Sequence, residues 1–330
     1  MSLFVVLLTL LLASVVAGAS YCGVGSVAVP KDTETFECLS VKELQHLQEL
    51  ERDKRFDAEA ATRFMLWTQR TTNPEGNPEE LIFNNLTALR NSSFDPRNPT
   101  RILIHGWLND WTSQVIRGLS RAYVAKGAYN VIGIDWSAGA MNILYPVAQK
   151  RVGAVADAIA KQIALLLQAG QHPSQIVLVG HSLGAHVAGL TGKHFQTEPK
   201  LAAIFALDPA GPLFSANNPA ARVDALDAVY VEVIHTSVML GYMHALGQAD
   251  FYPNGGKSQP GCILNACNHH KAVEYFQRSL TGSGPMYVGK RCEADAVSDK
   301  CDGAQAVMGG DLSDIYKTKM SGQFYLTIGE

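Results

Sequence analysis

Basic clusters, Cys-x-x-Cys pairs, internal repeats and long apolar runs beyond the amino terminus are all missing from these 330 residues. Each absence removes a class of function. Without a basic block, and with a formal net charge of −3, nothing points to nucleic acid or to electrostatic capture by anionic lipid. Charged residues make up 17% of the chain, below the ~25% of an ordinary soluble domain. Any transient contact with a membrane or micelle surface must therefore rest on apolar surface near a site. The missing Cys-x-x-Cys pair argues against a zinc ribbon and a thioredoxin-like redox centre. Without repeats or low-complexity tracts, a solenoid or a disordered scaffold is not indicated. No feature suggests assembly, and a monomer is the default expectation.

What is present begins with an apolar run, Leu3–Val16, followed by Ala17-Gly18-Ala19. This is the apolar core and small-residue cleavage site of a secretory signal peptide, although Met1-Ser2 adds no basic side chain. The run is shorter than the ~20 residues needed to cross a bilayer, so residues 1–19 are expected to be removed and the protein to be extracellular. An even set of 6 cysteines fits that compartment. Proximity favours the pairs Cys262–Cys267, Cys292–Cys301 and Cys22–Cys38. Asn85-Leu-Thr87 and Asn91-Ser-Ser93 are glycosylation sequons, meaningful in a secreted chain. Residues 20–55 form an amino-terminal extension. Its charged, helix-periodic stretch Val41–Arg55 ends in Arg52-Asp-Lys-Arg55, which reads either as a processing site closing a prosegment or as a solvated helix face.

Residues 56–330 alternate apolar runs with helical periodicity. Phe64–Thr68, Ile102–His105, Val131–Asp135, Ile176–Val179, Ala203–Leu207 and Val229–His235 read as strands, several without polar alternation. Strands of that kind are covered on both faces. Val147–Ala169 carries apolar residues at spacings of three and four, the mark of a helix. The alternation predicts an α/β fold: a mostly parallel central sheet with helices on both faces.

Ile176–Val179 runs directly into Gly180-His181-Ser182-Leu183-Gly184 and then into the helical stretch Ala185–Phe195. The five-residue pattern alone is weak evidence. Placed between a buried strand and a helix, it becomes a nucleophile elbow. A turn this tight needs glycine at 180 and 184, where side chains would strike the neighbouring strand and helix. It lifts the Ser182 hydroxyl above the sheet and aims the Leu183 amide at a developing oxyanion. A serine hydroxyl also needs a base, and the base an orienting carboxylate, in the chain order Ser, Asp, His. Asp208 ends the run Ala203–Leu207, where a buried strand meets a loop. Candidate bases beyond it include His269, its neighbour His270, and His235 at a strand end.

Gly180-His-Ser-Leu-Gly-Ala-His186, Leu207-Asp-Pro-Ala210, Val233-Ile-His-Thr236, Asp250-Phe-Tyr-Pro-Asn-Gly-Gly256 and Cys267-Asn-His269 together resemble the animal pancreatic lipase family, in the same order. The resemblance covers roughly residues 60 to 330 and implies an α/β-hydrolase fold. It places the family's serine, aspartate and histidine on Ser182, Asp208 and His269, and favours His269 over His270. Arg101-Ile-Leu-Ile-His-Gly-Trp107 looks like the family's oxyanion strand, which assigns the second oxyanion donor to the Trp107 amide. Arg222-Val-Asp224-Ala-Leu-Asp227 is similar to a segment that can hold a structural calcium ion through two aspartates; solvated surface aspartates are the alternative. No cofactor is required for the chemistry.

Two departures from the family shape the expectation about substrate. The carboxy-terminal β-sandwich of pancreatic lipases has no counterpart before Glu330. The loop matching their long lid is only Ile263-Leu-Asn-Ala266, and Ser237–Gly247 beside it is also short. A long lid buries apolar surface until an interface displaces it. Four residues cannot do so, and the pattern resembles the short-lid phospholipases A1 of wasp venoms and insect gut lipases. The expectation is an open site hydrolysing phospholipid or galactolipid at the sn-1 ester, with neutral glycerides next. A non-catalytic yolk or lipid-binding protein and a peptidase on the same fold are the rivals.

Overall fold

The computed structural model describes residues 22–52, 56–71, 77–197, 199–282, 286–293, 297–312 and 320–329, and the described residues form thirteen strands and five longer helices. The expected signal peptide, and positions 53–55 of the basic run, lie outside the described residues. The strands are β1 (Ser26–Pro30), β2 (Phe36–Ser40), β3 (Arg63–Trp67), β4 (Glu79–Leu81), β5 (Thr100–Ile104), β6 (Asn130–Asp135) and β7 (Ile176–His181). After these come β8 (Ala203–Leu207), β9 (Tyr230–Ile234), β10 (Ala249–Pro253), β11 (Val288–Arg291), β12 (Gln305–Val307) and β13 (Gly322–Leu326). The helices are α1 (Val41–Arg52), α2 (Gln114–Lys126), α3 (Tyr145–Gln168), α4 (Leu183–Lys193) and α5 (Asn265–Thr281).

One 11-stranded sheet carries all but the first two strands, in the order β12-β11-β13-β10-β9-β8-β7-β5-β6-β3-β4. From β6 across to β13 every pairing is parallel, and only the outer strands turn antiparallel. Every residue of β5 to β9 is buried, as apolar runs without alternation require. The period of two sorts their side chains between two cores. Ile102, Ile104 and Leu178 meet Val152, Ile159 and Val187 of α3 and α4 on one face. Leu103, Val177 and Val179 meet Ile116, Leu119 and Phe276 of α2 and α5 on the other. Each such side chain contributes about 1.5–3 kcal/mol of burial.

Expected and observed elements differ mainly at their ends. The helix expected at Val147–Ala169 starts earlier, at Tyr145, because Pro146 fits the first helical turn. Strand β7 runs on to His181, since Gly180 and His181 stay paired with Ala206 and Leu207. The three disulfides join Cys22 to Cys38, Cys262 to Cys267 and Cys292 to Cys301. Among the described residues no helix is long and apolar enough to cross a membrane. Asn85 and Asn91 are both exposed, and Asn85 caps a short helix by accepting the Ala88 amide at 2.9 Å.

The amino-terminal extension packs onto the sheet's helices. Its antiparallel hairpin β1–β2 is stapled by Cys22–Cys38, and both β1 and α1 lie against α3.

Candidate active site

Strand β7 delivers Ser182 at its carboxyl end with φ +59° and ψ −124°, a conformation that costs a non-glycine residue free energy. Surrounding backbone enforces it. The Ser182 amide donates to the Leu207 carbonyl at 3.1 Å, and the Ser182 carbonyl accepts from Ala185 at 3.1 Å and Ala210 at 3.2 Å. A Cβ on residue 180 would sit 2.2 Å from the Gly184 carbonyl oxygen, and one on 184 would sit 2.3 Å from the Ile104 oxygen. Helix and strand therefore close on the turn as the glycine pattern predicts. The Leu183 amide opens α4, where helix geometry leaves the first amides without intrahelical partners.

Asp208 leaves β8 at φ +41°, held by its amide to the Ile234 carbonyl at 2.8 Å. Its carboxylate is fully buried. Oδ1 accepts the Thr236 amide at 2.7 Å and the Ser237 amide at 3.3 Å. Oδ2 accepts the Ser237 hydroxyl at 2.5 Å and His269 Nδ1 at 2.6 Å. Because a carboxylate only accepts, Nδ1 of His269 carries the proton, and Nε2 is the ring's remaining lone pair. Beneath the ring, His181 donates from Nε2 to the His269 carbonyl at 3.0 Å, with ring centroids 4.6 Å apart. Burial, with His269 and His270 nearby, keeps the His181 pKa well below the ordinary histidine value. His181 is thus a neutral prop rather than a second base.

Ser182, His269, His181 and Trp107 share the wall of one cavity of about 250 Å³, with Tyr145 and Leu240 supplying apolar surface. Trp107 is fixed by its indole N–H to the Asn142 carbonyl at 2.7 Å and by edge contact with Tyr145, centroids 5.2 Å apart. Of the rival histidines, His270 lines the same cavity without a bond to Asp208, and His235 is tied up. His235 bonds the Tyr242 carbonyl at 2.7 Å and Asp250 at 2.9 Å, and stacks on Tyr252. Sequence reasoning missed Ser237, whose hydroxyl also receives the Gly241 amide at 3.0 Å. The only signal for it was its place just after the quoted Val233–Thr236 motif. Pro30 and Thr33, from the amino-terminal hairpin, also line the cavity and had no signal at all.

The calcium expectation for Asp224 and Asp227 does not fit the geometry. Lys193 Nζ stands 2.6 Å from Asp227 Oδ1, and Oδ2 accepts the Asp224 amide at 2.8 Å. Asp224 itself faces Arg222 Nη1 at 3.3 Å. An ammonium already occupies the place of a divalent cation, and Asp227 is fully buried rather than a solvated surface carboxylate. Among the described residues no group of three or more His, Cys, Asp or Glu could hold a metal ion.

A serine on a strained strand–helix elbow, an Asp–His pair at the ends of later elements and a mostly parallel sheet define an α/β-hydrolase. The chain belongs to the Lipase family, whose model matches residues 30–330. It is 37% identical over 230 residues to mouse (Mus musculus) "Lipase member H", a match spanning 67% of this chain and 49% of that protein. It is 41% identical over 197 residues to "Probable phospholipase A1 magnifin" of Vespa magnifica, spanning 55% of this chain and 58% of that one. A third relative, "Phospholipase A1 2" of Polistes dominula, is 40% identical over 190 residues, 54% of this chain and 60% of that one. The matched region thus spans about half to three fifths of these relatives' lengths.

Proposed function

We propose that the protein is a secreted carboxylic ester hydrolase of lipids, acting through Ser182, His269 and Asp208, with phospholipid or galactolipid cleaved at the sn-1 ester. The observation that carries this reading is the 2.6 Å His269–Asp208 bond opening onto the cavity that Ser182 also lines. His269 Nε2 takes the hydroxyl proton as Ser182 attacks the ester carbonyl. The Trp107 and Leu183 amides receive the oxyanion, and Asp208 stabilises the imidazolium. His269 then protonates the departing alcohol, leaving an acyl-Ser182 ester. Water, deprotonated by the same nitrogen, adds to that ester, and the fatty acid leaves as Ser182 regains its proton.

Three supports bear on substrate and location. The short loop between Cys262 and Cys267 leaves Ile263 and Leu264 98% and 57% exposed, outside the cavity wall. An uncovered mouth suits a polar head group, and those exposed side chains offer apolar surface for a lipid interface. Two of the relatives bear the name phospholipase A1. The three disulfides fit an oxidising compartment.

The test is fatty-acid release from phosphatidylcholine, galactolipid and triglyceride, with Ser182→Ala alongside. The expected result is sn-1 release from the polar lipids above triglyceride, lost by about 10⁶-fold in the variant without a change in thermal unfolding. Triglyceride preference would replace the substrate and keep the triad. Near-normal release by Ser182→Ala would refute the mechanism, and no release from any lipid would favour a lipid-binding role.

A further inference from the structure

The turn between β1 and β2 sits against the active site. Its shape is preset: Asp32 Oδ1 accepts the amides of Glu34 at 2.8 Å and Thr35 at 2.7 Å, and Oδ2 accepts the Thr35 hydroxyl at 2.6 Å. From this turn Glu34 reaches the start of α5, the helix that carries His269. Its Oε2 accepts the Asn265 amide at 2.8 Å and its Oε1 the Ala266 amide at 2.9 Å. The residue before the helix, Leu264, supplies no side-chain cap, so a carboxylate 231 residues earlier in the chain does that work. On the same hairpin Pro30 and Thr33 line the cavity that Trp107, Tyr145, Ser182 and His269 also line.

We propose that this hairpin is a wall of the substrate cleft, latched by Glu34 to the His269 helix, and that it limits the bulk of the lipid admitted. The proposal rests on the ester-hydrolase reading and adds a specificity element to it. The exposed Ile263 and Leu264 stand outside the cavity wall, whereas Pro30 and Thr33 of the hairpin belong to it. Glu34 positions the wall and Thr33 forms part of its inner face. A plain helix cap would stabilise α5 and affect all esters alike. A latched wall discriminates between them by size.

The test compares hydrolysis of diheptanoyl phosphatidylcholine with that of p-nitrophenyl butyrate, in wild type, Glu34→Ala and Thr33→Trp. Unlatching the wall is expected to raise the ratio of large to small ester about fivefold, and thickening it to lower the ratio by a similar factor. A uniform loss in both variants, with the ratio held within about twofold, would overturn the proposal. A second measurement does not need catalysis. All native cysteines among the described residues are disulfide-bonded, so Thr33→Cys in a Ser182→Ala background offers a distinct thiol. Phosphatidylcholine micelles should slow its labelling by a maleimide, and unchanged labelling would remove Thr33 from the cleft. If that protection holds while neither ester is hydrolysed by wild type, the wall stands and the hydrolase reading falls.

Discussion

Two buried carboxylates sit at opposite ends of the same parallel strands, and their partners make them different things. At the amino end of β5, Asp311 holds Arg101 through Nε at 3.1 Å and Nη2 at 2.7 Å, and also accepts from the Tyr129 hydroxyl. Arg101 spends Nη1 on the Thr100 and Gln175 carbonyls and lies against the rings of Tyr123 and Tyr129. At the carboxyl end Asp208 is held as thoroughly, by Thr236, Ser237 and His269. The contrast is in the partner. A guanidinium keeps its charge and no lone pair, whereas an imidazole bonded at one nitrogen keeps a base at the other. The same burial and hydrogen bonding therefore makes a rivet at one end and, in the proposed mechanism, a proton relay at the other.

Asp208→Asn breaks the contrast most severely. The amide holds the wrong imidazole tautomer, and kcat is expected to fall by about 10⁴ with the fold intact. A loss below tenfold, measured on any soluble ester, would return Asp208 to a structural role. Arg101→Met tests the other end. It leaves the Asp311 charge buried without its cation, and unfolding free energy should drop by about 3 kcal/mol in urea titration. Activity per fluorophosphonate-reactive serine should not change, and a fall in kcat at constant stability would contradict the rivet.

Lys193→Met sharpens the comparison at a third buried carboxylate. Burial raises the Asp227 pKa from 3.8 to about 6, with Lys193 opposing the shift. A folded value above the unfolded one means that ionisation costs stability as pH rises through 6, and costs nothing below 3.8. Without the ammonium the variant should lose about 2 kcal/mol at pH 8 and approach wild type near pH 4. A deficit independent of pH would mean that lost packing, not charge, was responsible. Ser237→Ala is the mildest change, removing one of the bonds to Asp208 Oδ2 while His269 stays paired. About a tenfold loss in kcat is expected, with KM unchanged. An effect confined to KM would assign Ser237 to substrate binding instead.

Much of the molecule was legible from local pattern. The strand at Ala203–Leu207 matches its expected bounds, and the elbow glycines meet the close approaches their spacing implied. Central strands can be read this way because burial on both faces demands an unbroken apolar run. The sheet's edges carry no such demand. Val288–Arg291 and Gln305–Val307 are short, with a single buried residue each, and exist through pairing with β13 and with each other. The Asp224–Asp227 spacing misled for a related reason, since it says nothing of a lysine 34 residues earlier that arrives on Asp227.

By itself the sequence determined the alternation of strand and helix, favoured the disulfide pairs by proximity and offered Ser182 and Asp208 as candidates, because each depends on residue type and near neighbours; His269 was preferred to His270 through the family resemblance. Only the tertiary structure decided that Ser237 braces Asp208, that Lys193 stands where a calcium ion was expected, and that Glu34 reaches the helix of His269. Those contacts join residues far apart in the chain, and their energies depend on distance and burial, which no local pattern records.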